Sequence, residues 1–139
     1  MSIDVPEELL SKRLPSLLVQ PLVENAIKHG ITPSRFGGEV SIYVRLEKPF
    51  GDEGDVLSIS VIDTGIGASE IELARGRRRG VGLSNIEERL RFYGGTPASL
   101  RIKSTPGAGT VVELRIPATI TDYVPNAGAP LPNRMEKQA

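Results

Sequence analysis

Two closely spaced glycines follow an aspartate in the middle of the chain, in the sequence Asp63-Thr64-Gly65-Ile66-Gly67. The glycines permit tight backbone turns and the close approach of a ligand. A carboxylate placed there could accept a hydrogen bond from an exocyclic amine, which would distinguish adenine from guanine. The alternative is an ordinary turn, because aspartate before glycine is common in turns.

A second glycine pair, Gly80-Val81-Gly82, precedes a predicted helix. The start of a helix presents free N–H groups and the positive end of the helix dipole, so a polyphosphate is the expected ligand. The pattern differs from a Walker loop and from a dinucleotide-binding fingerprint after a first strand. A flexible hinge is the alternative interpretation.

Polar residues cover one arc of the first predicted helix, namely Glu24, Asn25, Lys28 and His29. Asparagine is a poor helix former, and its carboxamide oxygen is a suitable hard ligand for Mg²⁺. Lys28 could contact a phosphate as a point charge, and His29 could flank a base or a ribose. The alternative is a solvated helix face.

Four arginines follow the aspartate–glycine motif, and they lie within residues 75–79: Arg75, Arg77, Arg78 and Arg79. Beside a phosphate-binding helix start they could contribute transient phosphate contacts. The alternative is a solvated charged run. Residues 68–79 as a whole are predicted to form a short, mobile, charged segment.

The elements that position these groups follow from hydrophobic periodicity. The first helix is predicted over 16–29, with Gly30 as its stop and an apolar arc of Val19, Leu22, Val23, Ala26 and Ile27. Pro21 predicts either a kink or a main helix that begins with Pro21 in its first turn.

Alternating apolar residues predict two antiparallel hairpins, one with strands near 40–46 and 57–61 and the other with strands near 100–102 and 112–116. A second helix is predicted between them, over 80–93. This order predicts an α+β fold: a two-layer α/β sandwich with a mixed, mostly antiparallel sheet and helices on one face.

Composition excludes several classes of function. The chain has 139 residues, 17 basic and 17 acidic side chains, one histidine and no cysteine. Thiolate metal sites, disulfide scaffolds and thiol catalysis are therefore excluded. A net charge of zero provides no basic field to recruit nucleic acid. No apolar run approaches the ~20 residues that would span a bilayer, and no signal-peptide pattern opens the chain.

Taken together, these motifs resemble the ATP-binding boxes of the GHKL superfamily, which contains gyrase, the large heat-shock chaperones, mismatch-repair proteins and histidine kinases. The boxes run in order: Pro21-Leu22-Val23-Glu24-Asn25-Ala26-Ile27-Lys28-His29-Gly30, Asp63-x-Gly65-x-Gly67, Gly80-x-Gly82-Leu83-x-Asn85-Ile86 and Gly107-x-Gly109-Thr110. The first box is most similar to that of LytS-type sensor histidine kinases. The fold implied is the Bergerat sandwich.

The resemblance covers about residues 4–117. It implies a lead-in from an upstream dimerization region over 1–14 and a histidine kinase-type ATPase domain over 15–117. The proline-rich residues 118–139 have no periodicity and are predicted to be a disordered tail.

The resemblance also implies a role for each matching residue. Asn25 would hold Mg²⁺ between the phosphates, Lys28 would contact phosphate, and His29 would lie near the sugar and base. At the other end, Asp63 would accept from the adenine amino group, Gly65 and Gly67 would shape that pocket, and Thr110 would support it. The remaining matching residues would cradle the phosphates beneath a lid at residues 68–79, and they are Gly80, Val81, Gly82 and Leu83.

Two departures from the pattern bear on the reaction. Gyrase-like hydrolases carry a glutamate four residues before the metal-binding asparagine, where this chain has Pro21. Glu24 is the remaining candidate base, although it projects about 100° around the helix from Asn25. Efficient ATP hydrolysis is therefore not expected, whereas phosphoryl transfer is compatible. The second departure is that no phosphate-accepting histidine accompanies the domain, because His29 belongs to the nucleotide pocket.

The resemblance thus predicts the catalytic domain of a two-component sensor histidine kinase that binds ATP and Mg²⁺. Its expected partners are an upstream dimerization and phosphoacceptor domain and a downstream response regulator. The domain is expected in the cytoplasm, within a homodimeric kinase anchored in the bacterial inner membrane. The alternatives are an anti-sigma-factor-type serine kinase and a non-catalytic nucleotide-binding module of the same superfamily.

Overall fold

A computed structural model describes residues 1–7, 16–48, 54–78, 86 and 99–118 of the chain. The helical elements are α1 (Ser16–Asn25), a π-helical segment (Ala26–Ile31) that continues it, and α2 (Glu70–Arg78). The strands are β1 (Ser2–Asp4), β2 (Val40–Glu47), β3 (Val56–Asp63), β4 (Ser99–Thr105) and β5 (Gly109–Pro117).

The five strands form one sheet in the order β1-β2-β3-β5-β4. Strand β1 pairs with β2 in parallel, and the other three pairings are antiparallel. The predicted α+β class and the mixed, mostly antiparallel sheet are therefore confirmed. Strand β1 was not predicted. It is held to β2 partly by polar contacts, including a 2.7 Å ion pair between Arg45 and Asp4.

The core lies between the helices and the inner face of the sheet. Register places Val44, Ile59 and Leu114 side by side on adjacent strands, and each is fully buried. Because side chains alternate along a strand, every second residue of β2, β3 and β5 reaches this core. The alternation in the sequence therefore located the core correctly.

The first helix packs on the core through Leu18, Leu22 and Ala26. Pro21 lies inside α1, beyond its first turn, so the alternative of a main helix with Pro21 in its first turn is wrong. The prediction that Ile27 belongs to the buried arc is also wrong, because its side chain is 45% exposed. The π-helical segment explains the difference: its wider turn changes the angular spacing of side chains beyond Ala26.

Helical structure continues two residues beyond the predicted end of the first helix at His29. Gly30 lies within the π-helical segment, which ends at Ile31, and the backbone N–H of Thr32 donates to the carbonyl of Ile27 at 2.8 Å. Gly30 does not have a positive φ. It is therefore not the left-handed stop expected at a helix end.

The charged segment after the aspartate–glycine motif is helical over Glu70–Arg78, a secondary structure that the sequence analysis did not assign to it. Ser69 caps α2: its hydroxyl accepts from the N–H of Glu72 at 3.3 Å, and the Glu72 carboxylate accepts from the N–H of Ser69 at 2.7 Å. This reciprocal pair is a capping box, which satisfies two N–H groups that would otherwise lack partners. The mobility predicted for this segment stays a prediction.

The predicted second helix and the predicted tail lie outside the described residues, apart from Ile86 and Ala118. Ile86 is fully buried and joins the core. Within the described ranges, no helix is both long and apolar enough to span a bilayer.

Candidate functional site

A cavity of about 580 Å³ lies between the π-helical segment, the sheet and α2. Three walls define it. The helical wall is Asn25, Ala26, Lys28, His29 and Gly30; the sheet supplies Val61, Asp63, Ile102, Thr110 and Val112; the third wall is Gly67, Ala68, Glu72, Leu73, Arg75 and Gly76.

Asp63 ends the central strand and is the buried carboxylate of this cavity. Its residue is 5% exposed, and its Oδ1 accepts from the N–H of Gly65 at 2.9 Å. Burial raises the pKa of Asp63, and hydrogen bonds from the backbone of Gly65 and Thr110 partly offset that rise. A buried carboxylate with remaining acceptor capacity favours a ligand that donates hydrogen bonds.

Two glycines allow the helical wall to approach this carboxylate. A Cβ on Gly30 would lie 2.5 Å from Asp63 Oδ1, and a Cβ on Gly65 would lie 2.2 Å from the Gly30 carbonyl carbon and oxygen. No side chain larger than hydrogen fits in either place without displacing its neighbours. Gly30, predicted as a helix stop, is instead required where two backbones meet.

One residue of the aspartate–glycine loop forms backbone hydrogen bonds to neighbouring segments on both of its sides. The N–H of Ile66 donates to the Gly30 carbonyl at 3.1 Å, and the Ile66 carbonyl accepts from the N–H of Gly107 at 2.7 Å. Gly67 then turns with a φ of +64°. Backbone hydrogen bonds therefore fix the loop between the π-helical segment and the β4–β5 turn.

The helical wall brings Asn25, Lys28 and His29 to the cavity. Glu24 does not line it: this side chain is exposed and accepts from Gln20 Nε2 at 2.9 Å, one turn earlier on the helix. The structure therefore separates Glu24 from the predicted site residues of the same helix.

The third wall lies in and next to the segment 68–79 that the resemblance implies as a lid, but among its residues only Gly67 and Arg75 were predicted individually. Of the four predicted arginines, Arg75 lines the cavity, and α2 also contributes Glu72, Leu73 and Gly76. The side chains of Arg77 and Arg78 and the whole of Arg79 lie outside the described part of the structure. The signal for this wall was the pattern Ser69-x-x-Glu72, which is typical of a helix start.

The remaining predicted residues divide into two groups. Gly65 is buried behind the cavity, whereas Gly67 and Thr110 line it. The second glycine pair and its neighbours lie outside the described residues: Gly80, Val81, Gly82 and Leu83.

The chemistry of the walls suits a ligand with a flat ring and an anionic group. Val61, Ile102 and Val112 provide an apolar surface beside the carboxylate of Asp63, and exposed Lys28 adds positive charge. Apolar walls with a few placed polar groups are typical of small-molecule sites. A purine nucleotide has both a flat ring and an anionic group, so the cavity of this α/β sandwich fits a nucleotide-binding domain.

Comparison with known families agrees with this class. Residues 11–120 match the model of the histidine kinase-, DNA gyrase B- and HSP90-like ATPases. The chain belongs to this family and is an ATP-binding domain of the kind found in histidine kinases.

Several similar proteins are sensor proteins or sensor histidine kinases by name. The sensor histidine kinase YesM of Bacillus subtilis (strain 168) is 34% identical over 116 residues, which are 84% of this chain and 19% of YesM. The sensor protein LytS of Oceanobacillus iheyensis is 29% identical over 126 residues, which are 84% of this chain and 20% of LytS. The chain thus spans about a fifth of the length of these two relatives.

A solved structure has the same fold. The blue-light activated histidine kinase EL346 of Erythrobacter litoralis superposes with a TM-score of 0.62 at 23% identity, covering 88% of this chain and 36% of that one. This similarity confirms the sandwich architecture.

Proposed function

We propose that this chain is the catalytic domain of a two-component sensor histidine kinase, which donates the γ-phosphate of Mg-ATP to a histidine on a dimerization domain. The observation that carries the proposal is that one cavity collects residues from three separate motifs: Asn25, Lys28, His29, Asp63, Gly67 and Thr110. The sensor-kinase relatives support the reaction type.

In this proposal, Asp63 recognises the base. Its carboxylate would accept a hydrogen bond from the adenine amino group, with Thr110 beside it on the neighbouring strand. Guanine presents a carbonyl at that position, so two acceptors would face each other and both would lack a donor. This mismatch would select ATP over GTP.

Phosphate binding is assigned to Lys28 and Arg75, the exposed cations that line the cavity within the described part of the chain. Asn25 is half-buried on the same helical wall, and its carboxamide oxygen is a suitable ligand for Mg²⁺. Magnesium usually keeps several waters and shares phosphate oxygens, so one protein oxygen is sufficient for this arrangement. The described residues contain no group of three or more acidic or histidine side chains that could hold a metal ion by themselves.

The transfer itself would break the bond between the γ-phosphorus and its bridging oxygen and form a nitrogen–phosphorus bond on the acceptor imidazole. Such a reaction depends mainly on positioning and on charge neutralisation. Pro21 cannot accept a proton, and Glu24 is directed away from the cavity toward Gln20. The domain is therefore expected to transfer phosphate to a partner and to hydrolyse ATP slowly.

Calorimetric titration tests the nucleotide assignment. Asp63→Asn should weaken ATP binding by roughly 10- to 150-fold, because a hydrogen bond to a charged group contributes about 1.5–3 kcal/mol. The matched control is Asp55→Asn, which removes an exposed carboxylate next to β3. The parent should bind GTP poorly. Equal affinities for ATP and GTP would contradict the assignment.

Labelling with radioactive γ-phosphate tests the kinase assignment. The chain, mixed with the dimerization domain of its own kinase and a response regulator, should produce an acid-labile phosphohistidine on the dimerization domain. Alone, it should not label His29. Acid-stable phosphate on a protein substrate would indicate a serine kinase, and ATP binding without transfer would indicate a non-catalytic module.

A further inference from the structure

The hydroxyl of Ser104, on the inner face of β4, has three polar atoms within reach. It accepts from the N–H of Ala68 at 2.8 Å, lies 3.2 Å from the Gly109 carbonyl, and lies 2.7 Å from the Thr110 hydroxyl. Ser104 is half-buried, so these partners are not freely replaced by water. The family motifs discussed above do not include this serine.

The partners of Ser104 belong to different walls of the cavity. Ala68 lies in the third wall, just before α2, and Thr110 lies in the sheet next to Asp63. Because β4 and β5 pair with Ser104 opposite Thr110, the two hydroxyls are held together by the sheet itself. The same serine therefore contacts the wall that would face the phosphates and the wall that would face the base.

The direction in which the Ser104 hydroxyl donates decides what the Thr110 hydroxyl can offer to a ligand. A serine hydroxyl has one hydrogen to donate and two lone pairs. If Ser104 donates to Thr110, the Thr110 hydrogen is free to point into the cavity. If Ser104 donates to Gly109, Thr110 donates to Ser104 and offers only lone pairs to a ligand.

The N–H of Ala68 occupies one lone pair of the Ser104 hydroxyl. A hydroxyl that already accepts a hydrogen bond is a stronger donor, because chains of hydrogen bonds reinforce one another. This contact therefore strengthens the bond that Ser104 donates, whether Thr110 or the Gly109 carbonyl accepts it. The Ser104 hydroxyl thus links Ala68, just before α2, to Thr110 in the sheet.

We propose that Ser104 is a positioning residue for nucleotide binding: it fixes Ala68 at the base of α2 and orients the hydroxyl of Thr110. The proposal rests on the proposed function, since it assumes that the cavity binds ATP. Ser104 itself does not line the cavity among the described residues. It acts through its two neighbours.

Three variants test the proposal. Ser104→Ala removes the hydroxyl, Ser104→Thr retains it, and Ser104→Cys keeps the size with a weaker hydrogen-bonding group. The matched control is Ser99→Ala, an exposed serine on the same strand. At 15.0 kDa, the chain is small enough for hydrogen exchange to be followed at single amides by NMR.

The expected result has two parts. In Ser104→Ala the Ala68 amide should exchange faster than in the parent, without nucleotide, and ATP affinity should fall roughly tenfold, as the loss of about 1–1.5 kcal/mol predicts. Ser104→Thr should keep both the exchange rate of the Ala68 amide and the ATP affinity at the values of the parent. Ser104→Cys should be intermediate and provides the comparison if the alanine variant does not fold. Ser99→Ala should change neither.

Two outcomes overturn different claims. A parent chain that binds no nucleotide would overturn the proposed function. A parent that binds ATP, with variants that bind it equally tightly or leave the Ala68 amide unchanged, would overturn the role of Ser104 alone. If Ser104 only stabilised the fold, Ser104→Ala would lower the melting temperature without selectively faster exchange of the Ala68 amide.

Discussion

The close contact between Gly30 and Asp63 gives a prediction whose size can be worked out from distances. Alanine at position 30 would place its Cβ 2.5 Å from Oδ1 and 2.7 Å from Cγ of Asp63. The carboxylate would have to retreat by roughly 0.9 Å or more to reach an ordinary contact, and it is 5% exposed. Overpacking of this kind costs about 1–3 kcal/mol.

Two quantities should change in Gly30→Ala. The free energy of unfolding should fall by about 1–2 kcal/mol, since a smaller unfolded-state entropy offsets about 0.4–1 kcal/mol of the strain. ATP affinity should fall by roughly tenfold or more, because the carboxylate that would bind the adenine amine is displaced. Chemical denaturation and calorimetric titration measure these two effects.

Gly76→Ala is the matched comparison. A Cβ on Gly76, in α2, would meet nothing within 4 Å. Its stability should rise by up to about 1 kcal/mol, the helix-propensity difference between the two residues. If Gly30→Ala were as stable as the parent and bound ATP as tightly, the proposed contact between the helical wall and Asp63 would not restrict the site.

Further predictions concern the metal, the pH dependence and α2. Asn25→Ala should lose most of the magnesium enhancement of ATP binding while its circular dichroism is unchanged; full enhancement would assign the ion to another residue. Burial raises the pKa of Asp63, so this carboxyl becomes protonated as the pH falls through the raised value. Protonation there increases the free energy of unfolding, because the folded state binds the proton more tightly than the unfolded state does. It also removes the ionised acceptor that would bind the adenine amino group. ATP affinity should therefore weaken in that window, above the ordinary aspartate pKa, and the Asp63→Asn variant should lack this component. Ser69→Ala removes the capping box, so the amides of α2 should exchange about fivefold faster, as a loss of ~1 kcal/mol predicts, while those of β3 stay unchanged; equal exchange in both would contradict the capping role.

The sheet could be predicted from the sequence because its pattern is local. Alternation in β2, β3 and β5 specifies which side chains are buried, and a shift of one residue would expose Ile59 or Leu114. Strand β1 was missed because three residues carry too little pattern, and all three are exposed. It joins the sheet through pairing with β2 instead.

The site could be predicted in its residue types and only partly in its contacts. Three predicted motifs do meet at one cavity, but spacing along the chain could not show that Gly30 touches Asp63. Helix α2 shows the opposite failure: Ser69-x-x-Glu72 is a local signal, and the arginines after it masked a helix start. The π-helical segment has no comparable signal, and it is the reason why Ile27 is exposed.

The fastening of the aspartate–glycine loop has a consequence for how the protein folds. Ile66 hydrogen-bonds to Gly30 on one side and to Gly107 on the other, so the site joins segments that are distant along the chain. Closing long loops is slow relative to forming a helix, because the entropy of closure is lost before the contacts compensate for it. During refolding, nucleotide binding should therefore recover together with the pairing of β5 to β3, well after helical signal has returned.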